Sequence, residues 1–205
     1  MTQTDMPATG GGVAEAIRRR LPNALTVFRT AAAPGVMLAF AVLHRPAADW
    51  AAFLLFSGAA ATDWIDGRLA RKWGVVSPIG RMLDPIADKA IAAIALATLL
   101  GLHGLDPRLT IPAAAILLRE TLVSGLREFL KGAEVVAVTQ LAKWKTTAQL
   151  VALAMLLAAG GLGGAVGSIL FGLGVAALWI AGVLTVVTGW DYFRRGLAHI
   201  RRETA

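Results

Sequence analysis

The chain has 205 residues, 57% of them hydrophobic and only 16% charged, with a mean hydropathy of +0.65. Soluble domains carry about a quarter charged residues, so this composition excludes an ordinary water-soluble domain and points to a membrane protein. The formal charge of +7 does not argue for nucleic-acid binding, because the basic residues gather at the ends of apolar runs, where membrane topology accounts for them.

The residues through Gly12 are polar and Gly/Thr-rich and lack the basic-then-apolar order of a cleavable signal. The first span is therefore expected to act as its own insertion signal. Residues 1–20 form a cytoplasmic N-terminal segment in which Val13, Ile17 and Leu21 recur at i, i+4 and i+8 beside Arg18, Arg19 and Arg20. That pattern fits either a short interfacial amphipathic helix or a solvated basic flank.

A membrane-spanning helix takes about 20 mostly apolar residues, and six such segments follow in chain order. They run from about Leu21 to Leu43, with Pro34-Gly35 as an expected kink, Asp49 to Arg71, Leu83 to Leu102, Leu109 to Leu130, Thr146 to Leu162 and Ile169 to Gly189. The fold expected is all-α, a polytopic six-helix membrane domain over 21–193 with a basic cytoplasmic tail at 194–205. If the N-terminus is cytoplasmic, the outer loops hold only Arg45 and Arg108, and the other basic residues lie at or toward the inner side. The positive-inside rule then places both termini in the cytoplasm. Trp50, Trp73, Trp144 and Trp190 sit near span ends, as an interfacial aromatic belt requires.

Asp63 and Asp66 lie three apart near the inner end of the second span, and Asp84 and Asp88 four apart at the inner start of the third. Each pair shares a helix face. The two helices are expected to be antiparallel neighbours joined by a short loop, so their inner ends adjoin and the four carboxylates can converge. A buried charge costs at least ~2.5–3.5 kcal/mol in a membrane, so a purely structural role does not justify four. Pairing with Arg68, Arg71, Arg81 or Lys89 accounts for one or two, and divalent metal binding accounts for all, since hard oxygen ligands suit Mg²⁺ or Mn²⁺. A cation pathway fits less well: it needs carboxylates at several depths, and the outer halves of the spans are read as free of them.

From Asp63 onward the residues read D-x2-D-G-x2-A-R-x8-G-x3-D-x3-D, comprising Asp63, Asp66, Gly67, Ala70, Arg71, Gly80, Asp84 and Asp88. Gly67 and Ala70 leave room for a nucleotide against the helix, Arg71 can offer a forked donor to a phosphate, and Gly80 lets the chain pass closely before the third helix. Every position agrees with the signature of the CDP-alcohol phosphotransferases, which this sequence resembles. The resemblance implies a six-helix, membrane-embedded enzyme in which Asp63, Asp66 and Asp84 are metal ligands. Asp88 would be both a ligand and the general base that activates an acceptor hydroxyl against a CDP-linked lipid. It also implies a homodimer.

The acceptor is addressed by other residues. The fourth span contains Arg119, Glu120, Ser124, Arg127 and Glu128. Arg119, near mid-span, is costly unless it faces a polar cavity, and Arg127 follows about 80° round the helix. With Lys143 and Lys145 they form an expected cationic pocket for a phosphorylated alcohol, the alternative being mutual pairing of the two arginines with Glu120 and Glu128. The segments around Leu21–Arg29, Arg119–Glu128 and Lys143–Thr146 resemble the phosphatidylglycerophosphate synthase branch of the family, from the bacterial inner membrane. That implies CDP-diacylglycerol and glycerol 3-phosphate as substrates, with Asn23, Thr26 and Arg29 on the nucleotide-pyrophosphate side. Inositol phosphate or phosphatidylglycerol as acceptor, and more distantly a cation transporter, are the competing readings. The last two spans are expected to be plain apolar anchors.

Overall fold

The computed structural model describes the backbone of residues 11–73, 78–129 and 140–203, and side chains over 24–63, 80–129 and 144–197, apart from 81, 127 and 195. Six helices account for these residues: α1 Gly11–Val42, α2 Ala47–Trp73, α3 Pro78–His103, α4 Pro107–Phe129, α5 Gln140–Leu162 and α6 Gly164–Glu203. Among the described residues no strand occurs. Five helices, all but α2, are long and apolar enough to cross a membrane. α2 has the length, at 27 residues, but its C-terminal part carries Asp63, Asp66, Arg68, Arg71 and Lys72. The protein is a multi-pass membrane protein.

Helix ends follow local chemistry. Asp106 caps α4, its carboxylate accepting the Arg108 backbone N–H at 2.9 Å while its carbonyl accepts Thr110 N–H at 2.8 Å, and Pro107 fills the first helical position, where no N–H is needed. Between α5 and α6, Gly163 and Gly164 have φ of +61° and +52°, a left-handed backbone that glycine adopts without penalty.

Three boundaries differ from expectation. α1 is helical from Gly11 without a break, so the N-terminal amphipathic segment and the first span share one helix, and residues 1–10 lie outside the described residues. Gly80, expected ahead of the third helix, lies within the first turn of α3. The basic segment from Arg194 continues α6 as helix to Glu203. At 40 residues α6 is about 60 Å long, twice the ~30 Å hydrocarbon thickness.

The core is built from small and branched residues: Ala33, Val36, Ala52, Phe56, Ala95, Leu96, Ile116, Leu153, Leu157 and Ala181 are almost wholly buried. Small residues let membrane helices approach closely, where dispersion rather than hydrophobic burial holds them. α1 packs against both α2 and α3, α2 against α5, and α6 against α4 and α5, whereas α2 and α3 barely touch. The sequence reading made α2 and α3 direct neighbours; α1 bridges them instead.

Asp49 is a second correction. It is a carboxylate in the first turn of α2, the end expected to face outward and to be free of acids; it is 2% exposed, and Arg45 donates to it at 2.7 Å. The hydrogen bond from Arg45 to Asp49 pushes the Arg45 pKa further above its ordinary value. Arg108 likewise pairs with Asp106 at 2.7 Å, and that bond holds the Asp106 carboxyl below the usual range. Both arginines assigned to the outer side are thus matched by a local aspartate.

Candidate active site

Thr26 and Arg29 lie three apart on α1, so one helix face presents both, and each is almost fully buried. Thr26 Oγ1 donates to Asp84 Oδ1 at 2.9 Å. Arg29 donates through Nη1 to Asp63 Oδ1 and to Asp88 Oδ1, the latter at 2.5 Å, and its Nη2 lies 3.8 Å from Asp84 Oδ1. One buried guanidinium therefore ties α2 to α3 through three of the predicted aspartates. The carboxylates themselves are about half exposed, at 49%, 47% and 51% for Asp63, Asp84 and Asp88.

Asp63 and Asp88 open into a cavity of about 900 Å³ bounded by α1 to α5. Its lining also includes Arg119 and Glu120 from α4 and Lys145 from α5. Arg119 Nη1 donates to Glu120 Oε1 at 3.1 Å, and Lys145 Nζ donates to the same oxygen. Lys145 is 4% exposed, so its charge is carried into the protein on the strength of that partner. Lys89, weighed as a partner for the aspartates, instead donates to Ser124 Oγ, which itself donates to the Glu120 carbonyl one turn back at 2.5 Å.

The cavity lining thus carries both signs: Asp63 and Asp88 with Arg29 and Lys89, and Arg119 and Lys145 with Glu120. Thr26, Arg29 and Asp84 are brought together with Asp63 and Asp88, and Gly80 is buried in α3. The side chains of Asn23, Asp66, Gly67, Ala70, Arg71, Arg127 and Lys143 lie outside the described residues. Arg29, expected beside the nucleotide pyrophosphate, is engaged by the aspartates.

Among the described residues no group of three acidic side chains is placed to share a single ion. Arg29 stands where Asp63, Asp84 and Asp88 would meet. The chemistry of the donor set nevertheless suits a hard divalent cation, since every donor is a carboxylate oxygen. Among the described residues three carboxylates stand against the one guanidinium of Arg29.

Two features of α6 went unread in the sequence. Arg119 Cζ lies 5.5 Å from the centroid of the Tyr192 ring, and Gly189 packs directly on the Arg119 stem. Tyr192 is the chain's only tyrosine and is followed by the basic end of the helix, the one hint available. α6 is therefore more than an apolar anchor.

The class follows from comparison with known proteins. The family model of the CDP-alcohol phosphatidyltransferases matches residues 19–187, and the chain belongs to that family. It is similar to the CDP-diacylglycerol–glycerol-3-phosphate 3-phosphatidyltransferase of Cereibacter sphaeroides, at 46% identity over 216 aligned positions covering 89% of this chain and 98% of that one. It is also similar to the proteins of the same name from Rickettsia bellii, at 44% identity covering 87% of this chain and 96% of that one, and from Escherichia coli, at 44% covering 67% and 76%.

Proposed function

We propose that the protein transfers a phosphatidyl group from CDP-diacylglycerol to sn-glycerol 3-phosphate, giving phosphatidylglycerol phosphate and CMP. The observation that carries this reading is the two-signed cavity: carboxylates suited to a metal and a base line the same space as cations suited to a second phosphate. The relatives named above are called after the same two substrates.

In this reading Asp63, Asp66, Asp84 and Asp88 hold Mg²⁺ or Mn²⁺, which when bound supplies charge neutralisation on the donor's pyrophosphate. Asn23, Thr26, Gly67, Ala70, Arg71 and Gly80 shape the donor side. Arg29 keeps the carboxylates of α2 and α3 facing one another. Arg119 and Lys145, with Arg127 and Lys143, orient the acceptor by its phosphate. Asp88 takes the proton of the acceptor hydroxyl on a carboxylate oxygen, Oδ1 being engaged by Arg29. The acceptor oxygen bonds to the β-phosphorus, and CMP departs with the electron pair of the broken P–O bond. The setting is a homodimer in the bacterial inner membrane with both termini cytoplasmic.

Purified protein given CDP-diacylglycerol, Mg²⁺ and one radiolabelled alcohol at a time should put label from glycerol 3-phosphate into lipid, and none from serine or unphosphorylated glycerol. EDTA should stop the reaction and Mg²⁺ or Mn²⁺ restore it. Incorporation of inositol phosphate in place of glycerol 3-phosphate would reassign the acceptor, and full activity in EDTA would remove the metal from the scheme.

Orientation is tested by single cysteines, the chain having none of its own. Leu105 is 83% exposed between α3 and α4, and Val166 is 64% exposed at the start of α6. Leu105→Cys and Val166→Cys should react with an impermeant thiol reagent on intact cells, and Thr204→Cys only after lysis. Labelling of Thr204→Cys from outside would invert the topology.

A further inference from the structure

α6 meets α4 through a regular ladder of glycines. Gly182 lies under Pro112, Gly189 under Arg119 and Gly196 under Leu126, seven residues apart on both helices. A Cβ at these positions would stand 3.2 Å from Pro112 Cβ, 2.7 Å from Arg119 Cγ and 2.8 Å from Leu126 Cδ2. Of the three α4 residues only Arg119 lines the cavity. Gly189 is thus the rung on which a cavity-lining charge rests.

One turn further along, Tyr192 is 7% exposed and sets its ring 5.5 Å from the Arg119 Cζ, within range of a cation–π attraction. The stem of Arg119 is confined at Cγ by Gly189, and its head is held by Tyr192 and by Glu120 at 3.1 Å. Arg119 Nε is buried and makes no hydrogen bond among the described residues, a donor still owed an acceptor.

We propose that Gly189 and Tyr192 are positioning residues that set where the Arg119 guanidinium stands and thereby set affinity for the phosphorylated acceptor. The inference rests on the reading of Arg119 as a phosphate-binding residue. Glycines that merely let two membrane helices approach would behave alike along the ladder. A Cβ at 189, by contrast, pushes on Arg119 at its third side-chain bond from the guanidinium, and a small displacement there is enough to spoil a charge-assisted hydrogen bond, whose strength depends on short, aligned geometry.

The test compares KM values for glycerol 3-phosphate and CDP-diacylglycerol in one detergent. Gly189→Ala should raise the acceptor KM about tenfold, the loss of one charge-assisted bond, with the donor KM unchanged. Gly182→Ala should leave the acceptor KM alone. Tyr192→Leu, which removes the ring over the guanidinium, should raise the acceptor KM, and it carries the test if Gly189→Ala fails to insert. In an Arg119→Ala background, where no Cγ remains to collide, Gly189→Ala should add nothing further. Additive losses, or equal effects at Gly182 and Gly189 on both substrates, would overturn the positioning role while leaving Arg119 in the acceptor site. An Arg119→Ala variant with unchanged acceptor KM would remove the phosphate reading, and the positioning role with it.

Discussion

Asp88→Asn should insert and fold as the wild type does yet lose at least about 10²-fold in kcat, the lower bound for a missing general base. The amide is isosteric with the carboxylate, and its carbonyl oxygen can still accept from Arg29 as Asp88 Oδ1 does at 2.5 Å. It cannot take up the proton of an alcohol. The loss corresponds to about 2.7 kcal/mol in the barrier and should appear at saturating concentrations of both substrates. CMP release in the steady state measures it, with helicity and gel-filtration behaviour as the check on folding. A kcat near the wild-type value would move the base to another aspartate of the cluster.

Arg29→Met should be the variant most costly to stability. Arg29 is 1% exposed and joins Asp63, Asp84 and Asp88. Breaking a buried charge network by removing one partner costs about 3–5 kcal/mol, and the half-exposed carboxylates place this case at about 3 kcal/mol, because water still screens them. The drop should be largest in EDTA, where the carboxylates face one another with no counter-charge. Excess Mg²⁺ should recover part of it, since an ion that binds only the folded state stabilises it by mass action. Thermal unfolding in detergent, with and without Mg²⁺, reads both effects. Identical melting of Arg29→Met and wild type in EDTA would show that Arg29 does not hold the cluster together.

Much of this architecture is legible in the chain because bilayer physics is severe. An apolar run long enough to cross can be little else, and the six runs correspond to the six helices, with ends displaced where a helix continues past its apolar part, as at Arg194. The aspartate spacing is legible for a similar reason, since three- and four-residue steps put carboxylates on one face whatever surrounds them. What the sequence hides is which helix lies between which. Arg29 is 34 residues from Asp63 and 59 from Asp88, and nothing local says that α1 inserts between α2 and α3. Glu120 reads naturally as the neighbour of Arg119; that it also neutralises Lys145, 25 residues on, depends on how α4 and α5 meet. Gly189 passes unnoticed among the many glycines of an apolar segment, its role set by the helix opposite.

The seven-residue register between Pro112, Arg119 and Leu126 on one side and Gly182, Gly189 and Gly196 on the other bears on how acceptor choice can be redesigned. In the reading proposed above α4 holds Arg119 and Arg127 on the acceptor side, so it is the natural piece to exchange between relatives with different alcohols. Yet each glycine is a vacancy cut for one particular residue, and a transplanted α4 whose bulky side chains fall one position off would meet backbone where it needs space. A mosaic enzyme should accept a foreign α4 only when the matching stretch of α6 travels with it. The two helices, whose facing residues lie 70 positions apart in sequence, are a single unit of inheritance.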